Sequence, residues 1–286
     1  MWWVGYKHVA PTELRTCGHS YLQLSLQTMR MYFTDKTSSL YDAVLALLYP
    51  QACAVCGASV ESHTDGVACA ACWQKTRIFT EEDLICWKCG VLAPGVVPEE
   101  KRQEVRCRRC DEEHFTAARA CGAYEGALRA SVLALKREPH VAARLARLLF
   151  ETQQGAPLKS ATRIVPVPLH PERQRERGFN QAAILGQSLS RLTHLPLDEL
   201  SLVRTAHTER HRAGMDERSR RESVEAAFEA RRPRLIEDER ILLVDDVFTT
   251  GATVSSCAAA LLAAGAQEVF VLTVARPSEQ RLEIRG

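Results

Sequence analysis

The apolar positions of the chain fall into short runs separated by stretches of helical spacing. Ile241 to Val244 and Val269 to Val274 are near-continuous apolar runs, which suits strands buried on both faces. Ile164 to Val167 is a third run, and Pro166 and Pro168 restrict it to a sheet edge or a strand end. Ala120 to Tyr124 and Leu202-Val203 read as further strands. Leu128 to Lys136, Val141 to Phe150, Ala182 to Leu192 and Thr253 to Ala264 carry the spacing of helices packed on one side. A helix is also expected from Ser38 to the residue before Pro50. The charged stretch from Pro171 to Gln181 is expected to be a loop. Strands alternating with helices predict an α/β fold with a parallel sheet flanked by helices. A ligand then binds beyond the carboxyl ends of the strands.

The most informative stretch is Ile241-Leu-Leu-Val-Asp-Asp-Val-Phe-Thr-Thr-Gly-Ala-Thr253. The apolar run ends in two carboxylates, Asp245 and Asp246. Thr249, Thr250, Gly251, Ala252 and Thr253 follow as a loop at a helix start, where free N–H groups and the helix dipole favour an anion. The threonine hydroxyls add donors, and Gly251 lets the backbone approach a phosphate closely. Paired acids beside a phosphate cradle suit a sugar with a diol and a phosphate, which describes a ribose 5-phosphate. The bland alternative is an ordinary strand–helix turn with two solvated aspartates.

Eleven cysteines would be many for a cytosolic protein unless most bind metal. Eight form Cys-x-x-Cys pairs: Cys53/Cys56, Cys69/Cys72, Cys86/Cys89 and Cys107/Cys110. This spacing fits zinc ribbons, in which two knuckles complete a tetrahedron of thiolates. Sequential sites are favoured, with Cys53, Cys56, Cys69 and Cys72 on one zinc and Cys86, Cys89, Cys107 and Cys110 on another. Cys17, Cys121 and Cys257 read as free or packed thiols. The segment between the knuckles is short and polar, so metal has to stabilise it. Replacing Cys69 or Cys107 with serine is expected to unfold the N-terminal module and leave the rest largely intact.

The remaining features change the picture less. The hydrophobic share of 46% and charged share of 25% fit a soluble globular protein. The net charge of +2 gives no global push toward nucleic acid. No apolar window reaches the ~20 residues of a membrane span, and residues 1–16 lack a signal-peptide pattern, so a cytoplasmic location is expected. The organisation expected is a poorly ordered extension over 1–37, a zinc-ribbon module with its preceding helix over 38–115, and the α/β domain over 116–286. The true start is alternatively placed near Met31.

The strand–turn–helix stretch resembles the PRPP-binding signature of type I phosphoribosyltransferases. That resemblance implies that Asp245 and Asp246 hold the ribose hydroxyls and that Thr249 to Thr253 hold the 5′-phosphate. PRPP also carries a pyrophosphate, whose charge needs cations and Mg²⁺. Lys136, Arg173, Arg177, Asn180 and Arg218 are the candidates for it. Arg173, Arg175 and Arg177 read equally as a solvated surface. The four cysteine pairs, Ala134-Leu-Lys136, Val165-Pro-Val-Pro-Leu-His170, Arg177-Gly-Phe-Asn-Gln181 and the PRPP loop together resemble the ComF family. Its members are described as competence-associated, phosphoribosyltransferase-like proteins with an N-terminal double zinc ribbon. The resemblance implies a type I phosphoribosyltransferase fold, PRPP as ligand, structural zinc at two sites, and transfer of ribose 5-phosphate to an unidentified nitrogen nucleophile. A binding protein that senses PRPP without catalysis, or that handles single-stranded DNA with competence proteins, is the alternative.

Overall fold

The computed structural model describes residues 51–205 and 227–277. The helix expected after Ser38, the extension over 1–37 and Arg218 lie outside the described residues.

Among the described residues, four strands form a parallel sheet: β1 (Ala117–Ala123), β2 (Arg163–Pro166), β5 (Arg240–Val247) and β6 (Glu268–Arg276), in the order β1-β6-β5-β2. The Ile241 to Val244 run lies in β5, between β6 and β2, with alternate residues facing opposite cores. Leu242 and Val244 join the cluster on one face, Ile241 and Leu243 the cluster on the other. All four are fully buried, which is why the run is unbroken rather than alternating. β2 lies at the sheet edge and ends at Pro166, as the prolines require. Residues 196–198 cover its outer side: Ile164 N–H donates to the Pro196 carbonyl at 2.9 Å, and Asp198 N–H donates to the Ile164 carbonyl at 2.9 Å.

Helices cover both faces. α2 (Gly126–Leu135), α3 (Ala143–Gln154) and α5 (Gln181–Thr193) send Leu128, Leu145 and Leu185 into one cluster. α6 (Ala252–Ala263) sends Val254, Cys257 and Leu261 into the other. A two-stranded antiparallel sheet, β3 (Leu202–Arg204) with β4 (Phe228–Ala230), packs on the α6 side.

The two cysteine-rich segments divide between these faces. Cys53, Val60, Cys69 and Trp73, the last on the short helix α1 (Ala70–Lys75), share a core with Leu128 and Leu145. Cys86, Cys89, Val91 and Cys107 share the other core with Val254 and Leu261. Backbone pairing joins them to the free edge of β1. Ile78 bridges Gly122, and Ala118 N–H donates to the Lys88 carbonyl at 2.7 Å. A Cβ at Gly90 would lie 2.4 Å from the Ala118 carbonyl oxygen, so this contact admits glycine alone. The ribbons are therefore packed against the sheet, an arrangement in which loss of a cysteine ligand is expected to reach the α/β domain as well.

Three local readings differ from the sequence. Pro171 to Arg177 is a helix, α4, not a loop. Pro171 starts it, the His170 ring accepts from Glu172 N–H at 3.3 Å, and Gly178 ends it with φ 78°. It escapes a periodicity reading because none of its residues is buried. β5 runs through Asp245 and Asp246 to Val247, so the carboxylates sit within the last turn of pairing rather than after it. Ala252 and Thr253 belong to the first turn of α6, leaving Phe248 to Gly251 as the loop.

Candidate ligand site and metal centres

The Cys53/Cys56/Cys69/Cys72 and Cys86/Cys89/Cys107/Cys110 sulfurs form two groups, each lying within 4.8 Å of one another. Cys56 and Cys69 Sγ are 3.7 Å apart, Cys86 and Cys110 3.6 Å, and Cys89 and Cys107 3.5 Å. A zinc ion bound tetrahedrally at about 2.3 Å from each sulfur sets sulfur–sulfur separations of about 3.8 Å. The eight cysteines are free thiols arranged for that geometry. Backbone N–H groups of Cys69 and Cys107 donate to Cys53 Sγ and Cys86 Sγ at 3.3 Å each, which favours thiolate. The donor sets fit two structural zinc ions, paired sequentially. Cys121 and Cys257 are fully buried apart from these groups, and burial pushes the Cys121 thiol up to about 12, as suits packed, inert thiols.

The second site lies at the carboxyl end of β5. Asp245 and Asp246 are half-buried, and Asp246 N–H donates to Asp245 Oδ1 at 2.8 Å. Burial, and then the neighbouring Asp246 charge, push the Asp245 carboxyl up to about 7. Lys136, which caps the end of α2, places its Nζ 3.8 Å from Asp246 Oδ2. Thus the strand end carries two carboxylates and one ammonium.

The loop after β5 turns sharply into α6. Phe248 N–H donates to the Ala275 carbonyl at 3.0 Å, and its buried ring points into the core. Thr249 and Thr250 are exposed. Gly251 caps α6 with φ 90°, a left-handed value, and a Cβ there would meet the Phe248 ring at 3.0 Å. The glycine is thus required by the turn itself. Ala252 and Thr253 are exposed at the N-terminus of a 12-residue helix whose first turn carries no acid. Its N–H groups and dipole favour an anion beside the carboxylates.

The remaining candidates are spread. Arg173 is exposed on α4 and Arg177 is half-buried at its end. Asn180 is anchored within the chain: one Nδ2 hydrogen goes to the Val167 carbonyl at 2.9 Å, and Oδ1 caps α5 by accepting from Ala182 N–H at 3.0 Å. It fixes the segment after β2 beside the carboxyl end of β5.

Sequence reasoning missed the floor of the loop. The Arg276 guanidinium lies 5.1 Å from the Phe248 ring centroid and its Nη1 donates to the Cys89 carbonyl at 2.6 Å. Phe115 meets Phe248 edge-on, with centroids 5.9 Å apart. His114 N–H donates to Ser255 Oγ on α6 at 2.9 Å.

A parallel sheet whose central strand ends in paired acids and a Thr/Gly turn, joined to two four-cysteine ribbons, defines a phosphoribosyltransferase-like protein with a double zinc ribbon. Comparison with known families agrees: a double zinc ribbon domain matches residues 44–111 and a phosphoribosyl transferase domain matches residues 176–286. DNA utilization protein YhgH of Escherichia coli K12 is 30% identical over 238 residues, covering 80% of this chain and 99% of that protein. Competence protein F of Haemophilus influenzae is 37% identical over 46% of this chain and 59% of its own length. Competence protein ComFC of Bacillus subtilis is 36% identical over 36% of this chain and 39% of its own length. The chain belongs to the ComF family. Among solved structures, a glutamine PRPP amidotransferase from B. subtilis overlays 50% of this chain and 30% of its own at 19% identity and a TM-score of 0.35, an overlap that adds nothing to the family matches. Among the described residues, no helix is long and apolar enough to cross a membrane.

Proposed function

We propose that the chain binds Mg-PRPP at the carboxyl end of β5 and transfers its ribose 5-phosphate to a nitrogen nucleophile. The observation that carries this reading is one strand–turn–helix unit. It sets Asp245 and Asp246 beside the exposed Thr249, Thr250 and Thr253 at the start of α6. In this reading the carboxylates accept from the two ribose hydroxyls, and the loop and helix N–H groups hold the 5′-phosphate. Lys136 lies on the carboxylate side and faces the pyrophosphate, with Arg173, Arg177 and Arg218 as further cations. Mg²⁺ carried by the ligand would neutralise pyrophosphate charge. The nitrogen lone pair forms the new bond to C1 as the C1–O bond breaks, pyrophosphate leaves with that electron pair, and the nucleophile gives its proton to solvent. The site's part is positioning and electrostatic stabilisation of a sugar-centred cation.

A second reading is favoured by the names of the relatives, which concern DNA utilization and competence. In it the protein binds PRPP without transfer and acts with single-stranded DNA and competence proteins in the cytoplasm. A screen of nitrogen bases for pyrophosphate release from Mg-PRPP separates the two. Release that depends on one added base supports transfer; binding of Mg-PRPP with no release under any base supports the second reading.

A further inference from the structure

The loop from Phe248 to Gly251 rests on the second ribbon. Arg276 is the last residue of β6 and only 3% exposed. Its Nη1 donates at 2.6 Å to the carbonyl of Cys89, a residue of the second four-cysteine group, across 187 positions of sequence. The same guanidinium lies under the Phe248 ring. That ring touches the position where a Gly251 Cβ would stand. From the other side, His114 N–H, just beyond Cys110, holds Ser255 Oγ in the first turns of α6. Glu113 Oε1 lies 3.5 Å from the Gly251 Cβ position. An unbroken series of contacts thus runs from the second cysteine group through Cys89, Arg276 and Phe248 to the glycine that starts α6.

We infer that Arg276 is a positioning residue through which the second ribbon holds the anion-binding loop in shape, so that the ribbon is part of the ligand site rather than an appendage. An arginine has to supply this link, because the arrangement needs a donor aimed at a buried carbonyl and a cation over a ring at once. The Cys89 carbonyl belongs to the knuckle that carries two of the group's sulfurs, so Arg276 ties the loop to that knuckle's backbone, while His114 ties the ribbon to α6 from the other side. The first ribbon packs on the opposite face, against α2 and α3. The inference concerns the loop's order and rests on the ligand reading above only for its effect on PRPP.

The test compares the wild type with Arg276→Met, Arg276→Lys and Phe248→Leu by backbone hydrogen exchange without ligand, alongside zinc content. The amides of Phe248 and Ser255 are hydrogen-bonded, to the Ala275 and Gly251 carbonyls, and serve as local reporters. Arg276→Met and Phe248→Leu are expected to speed their exchange roughly tenfold. The amides of β5 residues 241–244 should keep their protection and two zinc ions should remain. Arg276→Lys should restore part of the protection. Unchanged exchange at Phe248 and Ser255 in Phe248→Leu, or in a folded Arg276→Met protein, overturns the inference. Calorimetry then asks whether Mg-PRPP binds the same variants roughly tenfold more weakly. A wild type that fails to bind Mg-PRPP, with the exchange effect intact, refutes the ligand reading and leaves the coupling standing.

Discussion

Lys136 Nζ lies 3.8 Å from Asp246 Oδ2, at the point where the end of α2 meets the end of β5. The side chains are 35% and 22% exposed, so water reaches both. A pair of this kind contributes little to the fold. Its position matters more, because it sets a cation beside the carboxylates proposed for the ribose.

Lys136→Met should therefore leave thermal stability within about 0.5–1 kcal/mol of the wild type. It should weaken binding of Mg-PRPP more than binding of ribose 5-phosphate, which has no pyrophosphate. Paired calorimetry with the two ligands measures the difference. Equal weakening of both would place Lys136 on the sugar instead.

The metal prediction follows from donor count. Eight thiolates at four per structural site should bring about two zinc ions per chain, and elemental analysis reads this directly. Because Cys53, Cys69 and Cys72 belong to the core on one face of the sheet and all four cysteines of the second group to the core on the other, chelation should lower the melting temperature of the whole body. A melt that loses only a small early transition, with the sheet's transition unmoved, would show that the ribbons fold apart from it.

Asp245 makes the fold pH-sensitive. Burial raises its folded pKa to about 7, above its usual value of 3.8. A raised carboxyl contributes stability that is fully present below the ordinary carboxylate range and is lost as pH rises through about 7. Asp245→Asn should accordingly stabilise the protein at pH 8, by on the order of 1 kcal/mol, and leave it unchanged near pH 4. Ligand binding has the opposite sense, since the ionised form is the better acceptor: Mg-PRPP affinity should fall as pH drops below 7. Melting curves across pH 4 to 8 and titrations across pH 5 to 8 test both signs.

Much of this was readable from the chain because the features are local. The Ile241 to Val244 run announces a strand buried on both faces, and the cysteine spacings announce the two ribbons. The Pro166 and Pro168 restriction correctly places β2 at an edge. α4 was invisible to hydrophobic periodicity since it buries none of its residues, although Pro171 and Gly178 mark its ends. β4 is three residues long with one buried side chain, Phe228, too little for a pattern. Asn180 reads as a ligand donor, and the structure shows a further use of its amide, a bond to the Val167 carbonyl that no local pattern announces. Arg276 was unreadable for the same reason: its partners, Cys89 and Phe248, come from segments that meet only in the folded molecule.

Nucleic-acid binding, if it operates through the α4 arginines, should be electrostatic. Arg173 and Arg175 are exposed, so affinity for a single-stranded oligonucleotide should fall steeply with salt as counterions are released. Arg173→Ala with Arg175→Ala should flatten that slope by about 1–2 units. An unchanged slope would remove α4 from the interface.

The most direct test of the central claim is calorimetric titration of Mg-PRPP into the wild type and into the Asp245→Asn/Asp246→Asn double variant. Circular dichroism should confirm that both are folded. Each lost charge-assisted acceptor is worth roughly 1.5–3 kcal/mol, so the account predicts saturable binding by the wild type and a loss of two or more orders of magnitude in the variant, about 3 kcal/mol or greater. Equal affinity in the two proteins would contradict it and leave the strand end as a structural turn.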